Sequence, residues 1–271
     1  MYRLPLDWLE QWSTGQADLV LVNSKFTAGV FRQTFPRLAA RRPDPQVLYP
    51  AVQVPPPNTR SPSRRWEELR GGLSDELQRF LSNGICFLSI NRFERKKGIP
   101  LALRALAQLR GLMPQHEVRL VVAGGYDKRL RENVEHLAEL ELEASELGIS
   151  GRVAFLPSFR EPERVALLEA CTGVLYTPEN EHFGIVPLEA MAAGRPVIAC
   201  ASGGPLESIA GDQTGFLCDP TPAAFAQAMA RLLEPGTAAR MGSAAYEHVR
   251  QGFSREVFGD KLEGYIRSIL Q

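Results

Sequence analysis

The sequence predicts an α/β fold: a parallel sheet with helices on both faces. Two observations carry this. The candidate strands are apolar throughout rather than alternating, as fits strands covered on both sides. They also alternate with helical stretches along most of the 271 residues, which implies parallel strands joined by crossover helices. The length allows one large domain or two ordinary ones, and 44% apolar residues suffice for a packed core.

The first strand is expected at residues 19–22, inside a helix-strand-helix-strand fragment that closes at Tyr49. Residues 51–65 are rich in proline and polar groups and read as a linker. Six strands follow, at 85–91, 118–124, 153–157, 173–177, 196–201 and 215–218. Helices fall between them near 99–112, 129–147, 161–170 and 186–193, and the end is helical at 223–233, 238–251 and 254–270. The expected division is a remnant of one α/β domain at 1–50, linker and lead-in at 51–80, a complete second domain at 81–252, and a terminal helix at 253–271. In that helix Phe253, Val257, Phe258, Leu262, Tyr265, Ile266 and Leu270 recur at helical spacing and read as packed core rather than a membrane-lying face.

Lysine plus arginine balances aspartate plus glutamate at 31 each, so the basic excess of a nucleic-acid binder is missing. Cys86, Cys171, Cys200 and Cys218 share no close spacing and read as reduced core residues. No apolar run approaches the roughly 20 residues that span a bilayer. The first residues lack a signal-peptide core.

The chemistry concentrates at strand ends, where open parallel sheets bind ligands. Glu181 follows the strand at 173–177, and Glu189 stands eight positions on, about two turns inside the next helix. Phe183, Gly184 and Ile185 lie between them, where free amides at a helix start can hold an anion. Two carboxylates flanking an anion pocket suit a ligand with hydroxyls on either side of a phosphate, such as a nucleotide-sugar. The plain alternative is two solvated glutamates on a surface helix.

The loop after residue 91 is basic. Arg92 can form a forked pair with phosphate oxygens, and Lys97 adds a compact charge, while Arg95 and Lys96 face solvent. Gly124 and Gly125 permit a tight turn or close ligand approach after the next strand, without the third glycine of a dinucleotide fingerprint. That absence disfavours a nicotinamide dehydrogenase. Gly203 and Gly204, before Pro205, form either a second anion-binding turn or ordinary loop punctuation. His182 reads as a pocket-shaping residue, and His116, His136 and His248 as surface residues. No Asp-x-Asp pair or metal-ligand spacing occurs.

Arg92 with Lys97, the Glu181–Glu189 spacing, Ser202-Gly203-Gly204-Pro205 and Thr214-Gly215-Phe216-Leu217, in this order, resemble the retaining glycosyltransferases of family 4. These have two facing Rossmann-like domains, the GT-B architecture, and the likeness covers about residues 80–250. Within the family, residues 17–28, 91–97, 123–127 and 180–191 are similar to the mannosyltransferases of dolichol-linked oligosaccharide assembly, over nearly the whole chain. The resemblance implies GDP-mannose as donor and Man-GlcNAc2-diphosphodolichol as acceptor, α-1,3 then α-1,6 linkage, and no metal cofactor. It implies work on the cytosolic face of the endoplasmic reticulum membrane, alongside other early glycosylation mannosyltransferases and with no nucleic acid.

By the same resemblance Arg92 and Lys97 bind the donor diphosphate, Glu181 meets the mannose hydroxyls and Glu189 the ribose. Phe159 and Arg160, in the segment 157–160, lie near the guanine. Family members begin with a full N-terminal domain, whereas this sequence is expected to start near that domain's end. The alternative reading is therefore a GDP- or GDP-mannose-binding or docking module without turnover.

Overall fold

The computed structural model describes residues 3–56 and 62–270. Its centre is a six-stranded sheet: β3 (Ile85–Ile90), β4 (Val118–Gly124), β5 (Val153–Pro157), β6 (Gly173–Tyr176), β7 (Val197–Cys200) and β8 (Gly215–Cys218). The strand order is β5-β4-β3-β6-β7-β8 and every neighbouring pair is parallel. Successive side chains of each strand point to opposite faces, so each strand feeds two cores. Cys86, Leu88 and Ile90 of β3 join Val121, Val174, Tyr176 and Val197 on one face. Phe87 joins Leu120, Val122, Leu175 and Ile198 on the other. This double burial is why the strands read as unbroken apolar runs.

The second face is covered by α6 (Pro100–Leu112), α7 (Arg131–Glu146) and α11 (Pro222–Leu233). The first is covered by α8 (Glu161–Ala170), α9 (Ile185–Ala192) and α12 (Thr237–Gly252). The short α10 (Pro205–Ser208) follows β7. His136, expected on the surface, is 3% exposed on the inner side of α7, with Nδ1 3.2 Å from Glu139.

The stretch expected as linker and lead-in is structured where it is described. Residues 57–61 of the proposed linker lie outside the described residues. Beyond them α4 (Pro62–Leu69) and α5 (Asp75–Ser82) form, the latter capped by the Ser74 hydroxyl accepting from Leu77 N–H. Leu73, Leu77 and Leu81 enter the first core. The eight-residue α4 and the single turns between were too short to read from periodicity.

A smaller unit precedes this: α1 (Arg3–Thr14), β1 (Leu21–Val22), α2 (Lys25–Thr34), α3 (Pro36–Ala39) and β2 (Gln46–Val47), with β1 and β2 parallel. The terminal α13 (Arg255–Leu270) runs back to it, and the Tyr265 hydroxyl donates to Val47 O at 3.1 Å. The apolar stripe of α13 is not core as expected. None of its residues is buried, and Leu270 is 80% exposed. Only Phe253, just before the helix, is buried, because that is where the chain meets both units. No helix of the described residues is long and apolar enough to cross a membrane.

Candidate donor-binding site

The sheet changes direction at β3. The chain adds β4 and β5 on one side, then returns to lay β6 on the other. Loops leaving β3 and β6 diverge there and open a crevice at the strands' carboxyl ends. Both predicted motifs sit in it. The loop after β3 carries Arg92 and Lys97, and the loop after β6 carries Glu181.

Lys97 and Glu181, 84 residues apart, form a salt bridge with side chains 13% and 27% exposed. The loops are also tied through backbone, since the Thr177 hydroxyl donates to Lys97 O at 2.7 Å. The surrounding cavity, about 300 Å³, is lined by Asn91, Arg92, Gly124, Gly125, Phe159, Tyr176, Gly184 and Ile185 as well as the salt-bridged pair. Arg92 is held over Glu94 at 2.8 Å with its side chain 62% exposed, so its guanidinium has freedom to turn to a ligand.

The glycines in this wall have different causes. A Cβ on Gly124 would overlap Asn91 O, because β4 turns tightly against the loop after β3. Gly125 is open except for the flexible Arg92 side chain. Gly184 has φ +80° and lies against the Tyr176 hydroxyl, so a side chain is excluded on both grounds. Burial, and then the Glu181 charge, push the Tyr176 phenol well above its ordinary pKa. It is a neutral donor in this cavity.

Glu189 occupies a second cavity, about 450 Å³, which shares Ile185 with the first and contains Glu161, Arg164, Gln53 and Arg255. Burial raises its pKa above the usual carboxylate range, and the Arg164 guanidinium 2.9 Å away acts against that rise. The two glutamates therefore face adjoining spaces, with the first turn of α9 between them. The pair was expected to flank one anion pocket, whereas each lines its own cavity here, and nothing in the sequence marked Arg164 as the cation of the second.

Five predicted residues line neither of these cavities. Phe183 is buried and stacks on Tyr49 at 5.6 Å, with Phe253 6.1 Å away, so it anchors the loop instead of lining it. His182 turns to the small unit, its Nδ1 3.0 Å from the Thr27 hydroxyl and its ring edge-on to Phe26 at 5.7 Å. Gly203 and Gly204 line neither of these two cavities. A Cβ on either would overlap the backbone of Glu181 or Phe183, and Gly204 N–H donates to Glu181 O at 2.8 Å. They brace the acidic loop from behind. Arg160 pairs with Glu163 at the start of α8 and is exposed, and its neighbour Phe159 lines the first cavity.

A clasp joins the units beside this loop. Glu207 of α10 accepts from Lys25 N–H and Phe26 N–H, each at 2.8 Å, where α2 begins and its amides are unsatisfied. It also accepts from the Tyr49 hydroxyl at 2.9 Å. Ser24, which caps α2, donates its hydroxyl to His182 O at 2.5 Å. No single stretch of sequence contains this clasp, so sequence reasoning missed it.

The family model described as Glycosyl transferases group 1 matches residues 76–248, which include the lining of the first cavity and Glu161, Arg164 and Glu189 of the second. A mouse protein named alpha-1,3/1,6-mannosyltransferase ALG2 is 46% identical over 273 residues, covering 99% of this chain. The human protein of the same name is 47% identical over 274 residues, covering all of it. The chain spans 63% of the length of each of these relatives. Among solved structures, Anabaena Alr3699/HepE in complex with UDP and glucose is 27% identical with a TM-score of 0.75, over 93% of this chain and 64% of that one. A sucrose-phosphate synthase from Thermosynechococcus elongatus, 24% identical, shares the fold with a TM-score of 0.77, over 97% of this chain and 61% of that one. The match runs through the loops after β3 and β6 that build the cleft, and the chain belongs to the group 1 glycosyl transferases.

Proposed function

We propose that this chain carries the donor site of a GDP-mannose-dependent α-1,3/1,6-mannosyltransferase that extends Man-GlcNAc2-diphosphodolichol in N-glycan precursor assembly. The names of its mouse and human relatives support the sugar and the linkage. The acceptor, the cytosolic face of the endoplasmic reticulum and neighbouring mannosyltransferases as partners follow from the resemblance. The observation that carries the donor reading is the Lys97–Glu181 pair in one cleft with Arg92 and the open face of Gly125.

In this reading the pyrophosphate lies against Lys97, Arg92 and the amides that start α9. Glu181 takes mannose hydroxyls, and the ribose reaches Glu189 past Ile185. An acceptor hydroxyl attacks the anomeric carbon on the face the diphosphate leaves. The C1–O bond breaks, and the departing phosphate oxygen takes the hydroxyl's proton. Charge grows on that phosphate as the bond breaks, and the Lys97 ammonium, already fixed in the cleft, meets it without reorganisation. Side chains and helix amides, not a metal ion, supply this stabilisation.

Calorimetric titration of the chain with GDP-mannose tests the donor site. Binding that Lys97→Ala weakens supports it, and a chain that binds neither GDP nor GDP-mannose overturns it. In a mannose-transfer assay of the longer enzyme, Lys97→Ala should lower turnover about a hundredfold, equivalent to about 3 kcal/mol. Near-unaltered turnover would remove Lys97 from the reaction.

A further inference from the structure

The second cavity holds a side chain with no role in the reading above. Arg164 lies on α8, half-buried, with its side chain 22% exposed. Its guanidinium bridges two carboxylates from different helices. One amino group is 2.6 Å from Glu161, one turn earlier on α8, and the other is 2.9 Å from Glu189 on α9. Both carboxylates line the cavity, Glu161 at 67% exposed and Glu189 at 29%.

We propose that Arg164 is the positioning residue for Glu189: it keeps that carboxylate ionised and fixes it as a double acceptor for the vicinal hydroxyls of the donor ribose. This rests on the donor reading of the cleft. A ribose diol presents two O–H donors side by side, and a carboxylate accepts both only when it is charged and correctly turned. Burial opposes the charge. Of the groups facing Glu189, Glu161 on α8 opposes it as well, whereas Arg164 favours it. Arg255 of α13 and Glu169 of α8 complete the charged lining, and Glu169 is itself paired with Arg195 at 3.2 Å. A planar guanidinium held on its far side by Glu161 cannot swing away as a free lysine would. The arrangement locks Glu189 through its neighbour and leaves Arg164 itself off the ligand.

The experiment compares calorimetric affinities for GDP and 2′,3′-dideoxy-GDP at mildly acid and mildly alkaline pH. Taking the ratio of the two nucleotides cancels the titration of their shared phosphates. The unaltered chain should prefer GDP about tenfold or more at both pH values, the worth of hydrogen bonds to a charged acceptor. In Arg164→Met the preference should fall toward unity at acid pH, where Glu189 protonates, and partly return at alkaline pH. Arg164→Lys should keep much of it, and melting curves check that both variants fold. A preference in Arg164→Met equal to the unaltered chain's at both pH values overturns the proposal. So does an equal loss of affinity for both nucleotides, which would mean that Arg164 touches phosphate or base. An unaltered chain that binds both nucleotides equally removes the ribose contact itself. One that binds neither overturns the donor reading, and this inference with it.

Discussion

Gly125 and the pair Gly203–Gly204, each following a strand of the main sheet, look alike in sequence and do different work. Gly125, after β4, opens onto the cleft and would meet only the bendable Arg92 side chain. Gly203 and Gly204, after β7, line neither described cavity and press directly on the backbone of Glu181 and Phe183. One loop leaves room for a ligand. The other removes room, so that the opposite loop can pack against it. Glycine at a strand end reports close approach, but only the structure says whether the thing approaching is a ligand or the protein itself.

The comparison breaks first at Gly204. Gly204→Ala forces Cβ into the Phe183 backbone, which cannot yield as a side chain can. Overpacking of this kind costs about 3 kcal/mol, a fall in melting temperature of about 6–12 °C for a chain this size. A melt within a degree of the unaltered protein would show that the loop is not braced there. Gly125→Ala is the contrasting case. It should change the melting temperature by no more than about 2 °C, while weakening nucleotide binding, because the new methyl pushes Arg92 from the cleft wall.

Between these lies the clasp. Tyr49→Phe removes the hydroxyl that donates to Glu207 and should cost about 1 kcal/mol. Burial, with the Glu207 hydrogen bond, pushes the Tyr49 phenol up to about 12, above the ordinary tyrosine value of 10.0. The bond therefore contributes fully below pH 10.0 and is lost as pH rises toward 12. Denaturant titrations should show Tyr49→Phe less stable at neutral pH and the gap closing across that alkaline window. A gap that does not depend on pH would mean that ring packing, not the hydroxyl, is what the substitution disturbs.

Much of the framework was legible because each strand of the main sheet is buried twice. Runs such as residues 118–124 and 153–157 matched the structure to the residue. The first and second carboxylates were legible too, since a strand end and a helix of known pitch fix their separation. Illegible were the features that owe their shape to distant partners. The strand expected at 19–22 forms as β1, but its parallel pairing with β2 shows only in the fold. His182 and Phe183 lie inside the most informative stretch of sequence, yet face away from the cleft because Thr27, Tyr49 and Phe253 pack there. Arg164 was invisible for the same reason: its partner on α9 is 25 positions away, in a helix brought alongside only by the sheet.

The rings of Tyr49, Phe183 and Phe253 have one more implication, for the order of events during synthesis. They meet within 5.5 to 6.1 Å of one another, yet come from the early, middle and late parts of the chain. A ribosome delivers Lys97 and Glu181 long before it adds the last of these rings. Until then the ring stack behind the loop bearing Glu181 lacks its third member. Contacts of such long range form late, so a nascent chain holds every group the cleft requires and still cannot hold a nucleotide firmly. Competence arrives nearly all at once, when Phe253 joins the other two rings.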